Sequence, residues 1–473
     1  MHSTIYALSA AESVGAVADW ITLHVTMWVL FGAGVFFTVI TRFVQVRHLP
    51  RMVRTVLHSR GDAHGGISSF QAFTISLAAR VGIGNVFGVA AALMFGGPGA
   101  LVWMWGVALV GMATAFFEAT LAQVFKVRGP DGSFRGGPAY YMRLGMHSRA
   151  LGVVFAIITI VTCGFVITSV QANAIAQTVV ETTALSETQI AIIMVVCAAP
   201  VIFGGVRRVA RVTEYLAPIM ATFYVLVVVV IMLMNLSKLP GLFSLIFASA
   251  FAPKPIVSGL GGGILAALIT GTQRGMFSNE AGQGTAPNAA ATATVDHPVK
   301  QGFVQSLGVF VDTIIVCTAT AMVILIAGER VWSAPGVNPS NLTMLAVQNE
   351  LGNWTVIPMA IMIFVLAFSS IIAAYVYSEV NMDFIVSSPV GRWIVRIVSV
   401  ASVGIGAVAS LQLVWNMVDI AMAVMTVMNL LALLYLYKWV VGVLRDYESR
   451  KGAPFNPQEC EFLPAKLPAE VAQ

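Results

Sequence analysis

Apolar residues in this chain come in long runs separated by short polar segments. A membrane-spanning helix needs about 20 predominantly apolar residues. Eleven runs fit or approach that length: Trp20–Ile40, Phe70–Phe95, Leu101–Phe125, Ala150–Val180, Ile190–Phe203, Leu216–Leu236, Val257–Gly284, Phe303–Ala327, Trp354–Ser378, Ile394–Leu411 and Val414–Val443. Ile190–Phe203 is short, and Ile394–Leu411 carries Arg396 near one end. None of the runs keeps the inside/outside alternation of a β-barrel strand. The pattern predicts an all-α, polytopic membrane helical bundle of about eleven spans.

Two runs are interrupted. One reads Ser76-Leu-Ala-Ala-Arg80-Val-Gly82-Ile-Gly84-Asn85-Val-Phe-Gly88. The other reads Thr270-Gly271-Thr-Gln-Arg274-Gly275-Met-Phe-Ser278-Asn279-Glu280-Ala-Gly282-Gln-Gly284. Close helix packing accounts for glycines in a membrane, but not for an arginine, an asparagine and a glutamate beside them. Each charge at a helix centre costs roughly 2.5–3.5 kcal/mol on insertion scales. Irregular backbone at that depth survives only where it lines a cavity or is buried in protein. With the first run set aside, each interrupted run opens a group of five, and the two groups enter from opposite sides. This is the pattern of an inverted repeat in a secondary transporter, whose unwound segments meet near the midplane around the substrate. The expected organisation is an extra N-terminal helix and loop (1–67), a first five-helix repeat (68–240), an inverted second repeat (241–447) and a tail (448–473).

Charge orients the bundle. With the N-terminus outside, 21 of the 26 Lys and Arg residues fall on the cytoplasmic side, and only Lys238, Lys254 and Arg330 fall outside. The remaining two, Arg80 and Arg274, lie inside the interrupted runs. That asymmetry follows the positive-inside rule and places the C-terminus in the cytoplasm. It also accounts for clusters such as Arg207-Arg208-Arg211 without a nucleic acid or a specific lipid. Only 10% of residues are charged and 58% are hydrophobic, with mean hydropathy +0.86. A soluble globular domain has about a quarter of its residues charged, and a disordered chain is less apolar still. The net charge of +5 is scattered, which argues against nucleic acid as a partner. Glu12 and Asp19 precede the first run with no Lys or Arg, unlike the positive start of a cleaved signal. Cys163, Cys197, Cys317 and Cys460 form no CxxC or Cys/His cluster. They are expected as buried free thiols, with neither disulfides nor zinc.

No Walker A, HExxH or GxSxG motif occurs, so an ion gradient is expected to drive transport and no cofactor is called for. None of the seven histidines (His2, His24, His48, His58, His64, His147, His297) lies in an interrupted run, which argues against an enzyme. A channel would need a continuous polar pore, whereas the polar residues gather at two breaks. Two readings stand for several of them. Ser369-Ser370 are either bonded back to their own helix or a pair of sodium ligands. Asp312, Glu118 and Asp419 are either functional acids or structural partners of Arg80 and Arg274. Gln171 and Asn173 either tie helices together or face the substrate.

These residues carry a family resemblance. The stretches Ser69-Phe-Gln-Ala-Phe through Gly82-Ile-Gly-Asn85, Gly96-Gly-Pro-Gly-Ala, Trp103-Met-Trp105, Arg135-Gly-Gly-Pro-Ala-Tyr-Tyr141 and Gly271-Thr-Gln-Arg-Gly-Met-Phe-Ser-Asn-Glu-Ala-Gly282 to His297-Pro298 are similar to those of the alanine or glycine:cation symporters, the bacterial sodium:alanine symporter family. The resemblance runs from about Trp20 to Tyr447. It implies a LeuT-like fold, a 5+5 inverted repeat with one extra N-terminal helix, in the bacterial inner membrane. It implies import of a small neutral amino acid, alanine or glycine, with Na+ as the coupling ion. The substrate carboxylate would meet Gly82, Gly84 and Asn85, the amino group would meet freed carbonyls at Thr270, Gly271 and Thr272, and Gln171 would face the substrate. Carbonyls of Ala78 and Val81 with Ser369 and Ser370 would hold Na+. Arg80, Arg274, Glu280 and Asp312 are intramembrane charges without an implied role. Many members read Thr-Val-Gly-Thr-Gly-Asn where this chain has Arg80-Val-Gly-Ile83-Gly-Asn85. The arginine is similar to a branch associated with glutamine as well as alanine, so a Na+- or H+-coupled glutamine transporter of the same fold is the alternative. Ile83 removes a hydroxyl from the break, Phe87 adds bulk, and Arg80 could stand where a second cation would bind.

Overall fold

A membrane is crossed by helices that satisfy their own backbone, and length then decides which ones reach across. The computed structural model of the protein describes residues 10–59, 67–129, 132–257, 259–409 and 411–472. His2, Arg60 and His64 lie outside them. Among the described residues nine spans are long and apolar enough, one of them bent by 51° at a break. They are α1 (Ser13–Ile40), the bent pair α2 (Ser69–Arg80) and α3 (Ile83–Gly96), α4 (Ala100–Val124), α5 (Arg149–Thr182), α7 (Gly205–Met234), α11 (Pro298–Ala327), α12 (Asn353–Ile385), α13 (Pro389–Val408) and α14 (Val414–Ser449). Shorter helices complete the order: α6 (Glu187–Ile202), α8 (Leu236–Ala250), α9 (Ile264–Asn279) and α10 (Ala286–Ala290).

The expected count of eleven is therefore not confirmed. The runs Ile190–Phe203 and Val257–Gly284 fold around α6 and α9, of 16 residues each. At 1.5 Å per residue such a helix is about 24 Å long, short of the roughly 30 Å hydrocarbon core. Other helices overshoot their apolar runs. Arg207, Arg208 and Arg211 sit in the first two turns of α7 rather than in a loop.

α4 is the hub, packed against α1, α9 and α11. A second layer forms where α5, α12 and α13 meet. There α13 crosses α5 so closely that a Cβ on Gly406 would overlap the Ser169 backbone. Asn173 of α5 spans this crossing, donating Nδ2 to Gly406 O (3.2 Å) and Ala409 O (2.7 Å). Of its two readings, the interhelical tie is the one the fold realises. All four cysteines are free thiols; three are buried as expected, and Cys197 is exposed.

The basic segments gather at one end of the bundle, where the tail lies across them. Arg47 pairs with Glu448 (2.7 Å) and Arg143 with Glu470 (2.5 Å), and Ala472 N–H donates to Lys126 O (2.8 Å). Phe455 N–H donates to Asp296 O (2.7 Å), bringing the Phe455 ring within 5.3 Å of His297. His297 Nε2 lies 3.3 Å from Asp446. Burial outweighs that carboxylate and holds the imidazole pKa down at about 4, so the ring is neutral at pH 7. Between pH 6.5 and 4 the unfolded chain takes up a proton that the folded chain refuses. Stability is thus complete above pH 6.5 and falls as pH drops through this window. Unfolding temperature in detergent, scanned from pH 7.5 to 5, should fall less steeply in His297→Gln than in the wild type. Parallel profiles would contradict the assignment.

Candidate functional site

α2 starts on a capping box in which Ser68 Oγ accepts from Gln71 N–H and Gln71 Oε1 accepts from Ser68 N–H. It ends at Arg80, where Val81 leaves the helical region with ψ 79°. The next residue must be glycine, because a Cβ on Gly82 would overlap Ser370 Oγ and stand 3.2 Å from Gln171 Oε1. Asn85 closes the turn through its side chain. Its Oδ1 accepts from Gly82 N–H (3.1 Å), and its Nδ2 donates to Asp312 Oδ1 (2.7 Å) and Ser278 Oγ (3.1 Å). Gln171 Oε1 accepts from Ile83 N–H (3.3 Å). Gly84 lies against α9, where a Cβ would stand 3.0 Å from the Phe277 ring and 3.2 Å from Ser278 Cα. Gly82, Gly84, Asn85 and Gln171 thus come together at one break.

The serine pair meets the same break from α12. Ser370 Oγ donates to Ala78 O at 2.8 Å, and Ser369 Oγ reaches it at 3.4 Å. Both hydroxyls also reach Leu366 O on their own helix, at 2.8 Å from Ser369 and 3.3 Å from Ser370. The bonds to Leu366 O are the back-bonded reading, and those to Ala78 O tie α12 to the end of α2. Ala78 O and two hydroxyl oxygens converge, a donor set suited to a hard cation such as Na+. Buried Val81 stands beside them at the exit of α2.

The second break lies elsewhere than expected. α9 runs unbroken from Ile264 to Asn279, so Thr270, Gly271 and Thr272 sit mid-helix with their carbonyls engaged. Gly271 serves packing: a Cβ there would stand 2.5 Å from Ala100 O and 2.7 Å from Trp103 Cβ on α4. The chain unwinds only at Glu280 (φ 55°), Gly282 (φ 89°) and Gly284 (φ 80°), values that favour glycine. The freed amides are taken by Glu118 of α4. Gly282 N–H donates to its Oε2 at 3.2 Å and Gly284 N–H to its Oε1 at 2.9 Å. Asn429 Nδ2 donates to Glu118 Oε1 (2.6 Å) and to Gly282 O (2.9 Å), and Tyr141 Oη donates to Asn429 Oδ1. Glu280 accepts from Thr285 Oγ1 (2.9 Å) and Tyr377 Oη (3.4 Å).

The other charges divide. Arg274 pairs with Asp419 and lies 4.7 Å over the Trp415 ring, whose centroid is 4.9 Å from that of Phe277. These four side chains form a lid joining α9 to α14 above Gly84. Over it opens a cavity of about 490 Å³, reached by Asp19, Thr270 and Gln273. Arg80 has no ion pair among the described residues. It is buried, donates Nη1 to Gln305 O (3.3 Å), and leaves Nε and Nη2 without a partner. Gly308 makes its room, since a Cβ there would stand 2.5 Å from Nη1. Asp312 sits in a π-helical stretch, Phe310–Cys317, and accepts from Asn85, from Ser278 Oγ (2.5 Å) and from Thr313 Oγ1 (2.8 Å). The ion-pair reading thus holds for Asp419 alone. Sequence reasoning flagged Glu118 and Asp312 as intramembrane acids but gave no role to Asn429, Trp415 and the hydroxyl of Ser278, polar or aromatic residues within apolar runs, or to Tyr141 in the short helix Pro138–Leu144.

A model of the sodium:alanine symporter family matches residues 8–460. The chain belongs to that family. The amino-acid carrier protein AlsT of Bacillus subtilis (strain 168) is 42% identical over 91% of this chain and 90% of its own length. The probable sodium/glutamine symporter GlnT of the same organism is 40% identical over 94% of this chain and 92% of its own. Among solved structures, a Na+-coupled sialic acid symporter in a substrate-bound outward-open state aligns with TM-score 0.55 and 13% identity, covering 90% of this chain and 92% of that one. The fold is LeuT-like, and the protein is a multi-pass membrane transporter of a sodium-coupled family.

Two substitutions separate scaffold from site. Glu118→Ala strips the acceptor from two break amides and Asn429, at about 1–3 kcal/mol for each buried group left unpaired. It should lower the unfolding temperature in detergent sharply. Gly271→Val should lower it too, by forcing α9 off α4. If Gly271→Val instead keeps full stability and only raises the substrate KM, Gly271 is a substrate contact after all.

Proposed function

We propose that the protein imports alanine or glycine with Na+ by alternating access across the bacterial inner membrane, with its N-terminus outside and its C-terminus in the cytoplasm. The observation that carries this reading is the convergence on one break of Gly82, Gly84, Asn85 and Gln171 with Ala78, Val81, Ser369 and Ser370. The substrate carboxylate binds at the start of α3, the positive end of a half-helix. Its amino group binds at the C-terminal end of α9, the negative end of another, beside Gly84. This replaces the carbonyls of Thr270, Gly271 and Thr272. The second break offers no competing carboxylate site, because Glu118 fills it. Ile83, Phe87 and Phe277 keep the substrate small. Residues 68–240 and 241–447 act as inverted repeats, each opened by a broken helix. The reading includes no enzymatic step.

One ion is sufficient on energetic grounds. The amino acid is a zwitterion, so each Na+ carries one net charge inward. A potential of about 100 mV contributes roughly 2.3 kcal/mol, and a tenfold Na+ gradient about 1.4 kcal/mol. Together they support about 500-fold accumulation at 1:1 coupling. Arg80 takes the place of a second cation: its guanidinium is buried, makes no ion pair with a described residue and keeps Nε and Nη2 without a partner. The free Nε and Nη2 of the same guanidinium, with the relative named for glutamine, support glutamine as the alternative substrate.

Purified protein in liposomes decides between them. Labelled alanine uptake should be saturable, require a Na+ gradient and be competed by glycine. Stronger competition by glutamine favours the alternative, uptake that survives without Na+ but collapses with the pH gradient replaces the ion, and no saturable uptake of any of these amino acids overturns the reading. Ser370→Ala should raise the half-saturating Na+ concentration about tenfold, the equivalent of roughly 1.4 kcal/mol for one hydroxyl ligand. A purely structural hydroxyl would lower the maximal rate and leave the Na+ dependence alone. Arg80→Ala should change the Na+:substrate ratio, and an unchanged ratio would exclude the second-cation role.

A further inference from the structure

At the basic end a second cavity, of about 260 Å³, opens between the α6–α7 turn, the end of α12 and the first turns of α13. Four arginines line it, Arg135, Arg207, Arg392 and Arg396, against Glu379. Asp383 bonds two of them, accepting from Arg135 Nε (3.0 Å) and Arg392 Nε (2.7 Å). Glu379 accepts from Arg396 Nε and Nη2 (3.2 Å each). Four positive charges thus surround two negative ones, and Arg207 makes no hydrogen bond or ion pair with any described residue.

The backbone adds to this positive field. Gly204, Gly205 and Val206 border the cavity, with the Arg208 side chain folded over Gly204 towards Pro200 O. The first N–H groups of a helix have no partner inside it and carry the positive end of its dipole. Arg396 Nη2 and Glu379 Oε1 lie 3.1 and 3.9 Å from where a Gly205 Cβ would stand, so the paired Arg396 and Glu379 both face the helix start, and the exposed Arg207 beside them is the guanidinium without a partner among the described residues. At about 30 Å³ per water, the cavity has room for a phosphate group and part of what it is attached to. The mouth adjoins an apolar exterior: Phe203 packs on Trp393 with ring centroids 5.1 Å apart, and Trp393, Ile394 and Ile397 are exposed on α13.

We propose that this cavity binds the phosphate of an acidic membrane lipid, its diester seated on Arg207 and the start of α7 and its acyl chains lying along α13. The proposal rests on the cytoplasmic placement of the basic end, where such head groups collect around basic pockets between helices. It is independent of the transported substrate. It also revises the sequence view of Arg207-Arg208-Arg211: topology accounts for the charges, but the fold adds a pocket to one of them.

The test is binding to the purified full-length protein in detergent, by native mass spectrometry and thermal shift, with phosphatidylglycerol, phosphatidylcholine or inorganic phosphate added. Phosphatidylglycerol should bind in preference to phosphatidylcholine. Arg207→Ala should weaken it about fivefold, the equivalent of roughly 1 kcal/mol per arginine near an anionic lipid, and Arg207→Glu should weaken it further. Arg149→Ala, which removes an exposed charge elsewhere at the same end, should change nothing. Equal binding of the two lipids, unaltered binding in both Arg207 variants, or equal loss in Arg149→Ala would overturn the proposal. Arg207-dependent binding of inorganic phosphate without phosphatidylglycerol binding would overturn the lipid as the source. None of these failures touches alanine or Na+ coupling, which is read in liposome uptake.

Discussion

Every backbone N–H and C=O at membrane depth must find a partner inside the protein, and this constraint shapes both breaks. A broken helix exposes several such groups at once, and each costs several kcal/mol if left bare. The two breaks answer differently. The first is closed by neutral amide side chains, one local and one from α5: Asn85 turns back onto Gly82 and Gln171 holds Ile83. The second is closed by a carboxylate from another helix, with Glu118 bonded to Gly282 and Gly284 and steadied by Asn429. A break whose amides are already taken by a carboxyl group is read as scaffold, and the break held by amides, between two half-helix ends of opposite polarity, is the one we propose for the zwitterion.

Packing carries this difference outward. The glycines at 82, 84 and 271 have little in common beyond their residue type. Gly82 lets Ser370 and Gln171 approach the unwound chain, Gly84 lets α9 approach it, and Gly271 lets α9 cross α4. The hub helix α4 therefore fixes α9 at one point and supplies Glu118 to the turn that follows it. The lid above Gly84 links α9 to α14 through an ion pair and an aromatic stack. Breaking a buried ion pair by removing one partner leaves an uncompensated charge, so this link holds α9 against α14.

How much of this was legible in the chain differs by feature. The first break could be read in detail, because Gly82, Gly84 and Asn85 interrupt an apolar run with residues that only an unwound segment needs. The second break was misplaced by about ten residues. The glycine and threonines at 270–272 looked like a break, but Gly271 is a packing glycine, and a helix tolerates one where another backbone passes. The unwinding residues, Glu280 to Gly284, stood in the same run, and only positive φ values tell the two glycine uses apart. The span count failed at α6 and α9, since apolar runs do not reveal helices that stop short. Asn429 and Tyr141 were illegible, because Asn429 meets both Glu118 and Tyr141 across hundreds of positions, only through tertiary packing. The π-helical turn that carries Asp312 left no local mark in the sequence.

The central claim is that cation and substrate share the break between α2 and α3, with Ala78, Ser369 and Ser370 on one side of Gly82 and Gln171 and Asn85 on the other. Sites so close must be thermodynamically linked, each ligand altering the other's affinity by the same factor. The most direct measurement is calorimetric binding of alanine to the purified protein at graded Na+ concentrations, with the reciprocal Na+ titration in saturating alanine. The account requires alanine affinity to rise at least fivefold from Na+-free to saturating Na+, with an equal factor in reverse. Alanine binding that is strong and indifferent to Na+ would contradict it.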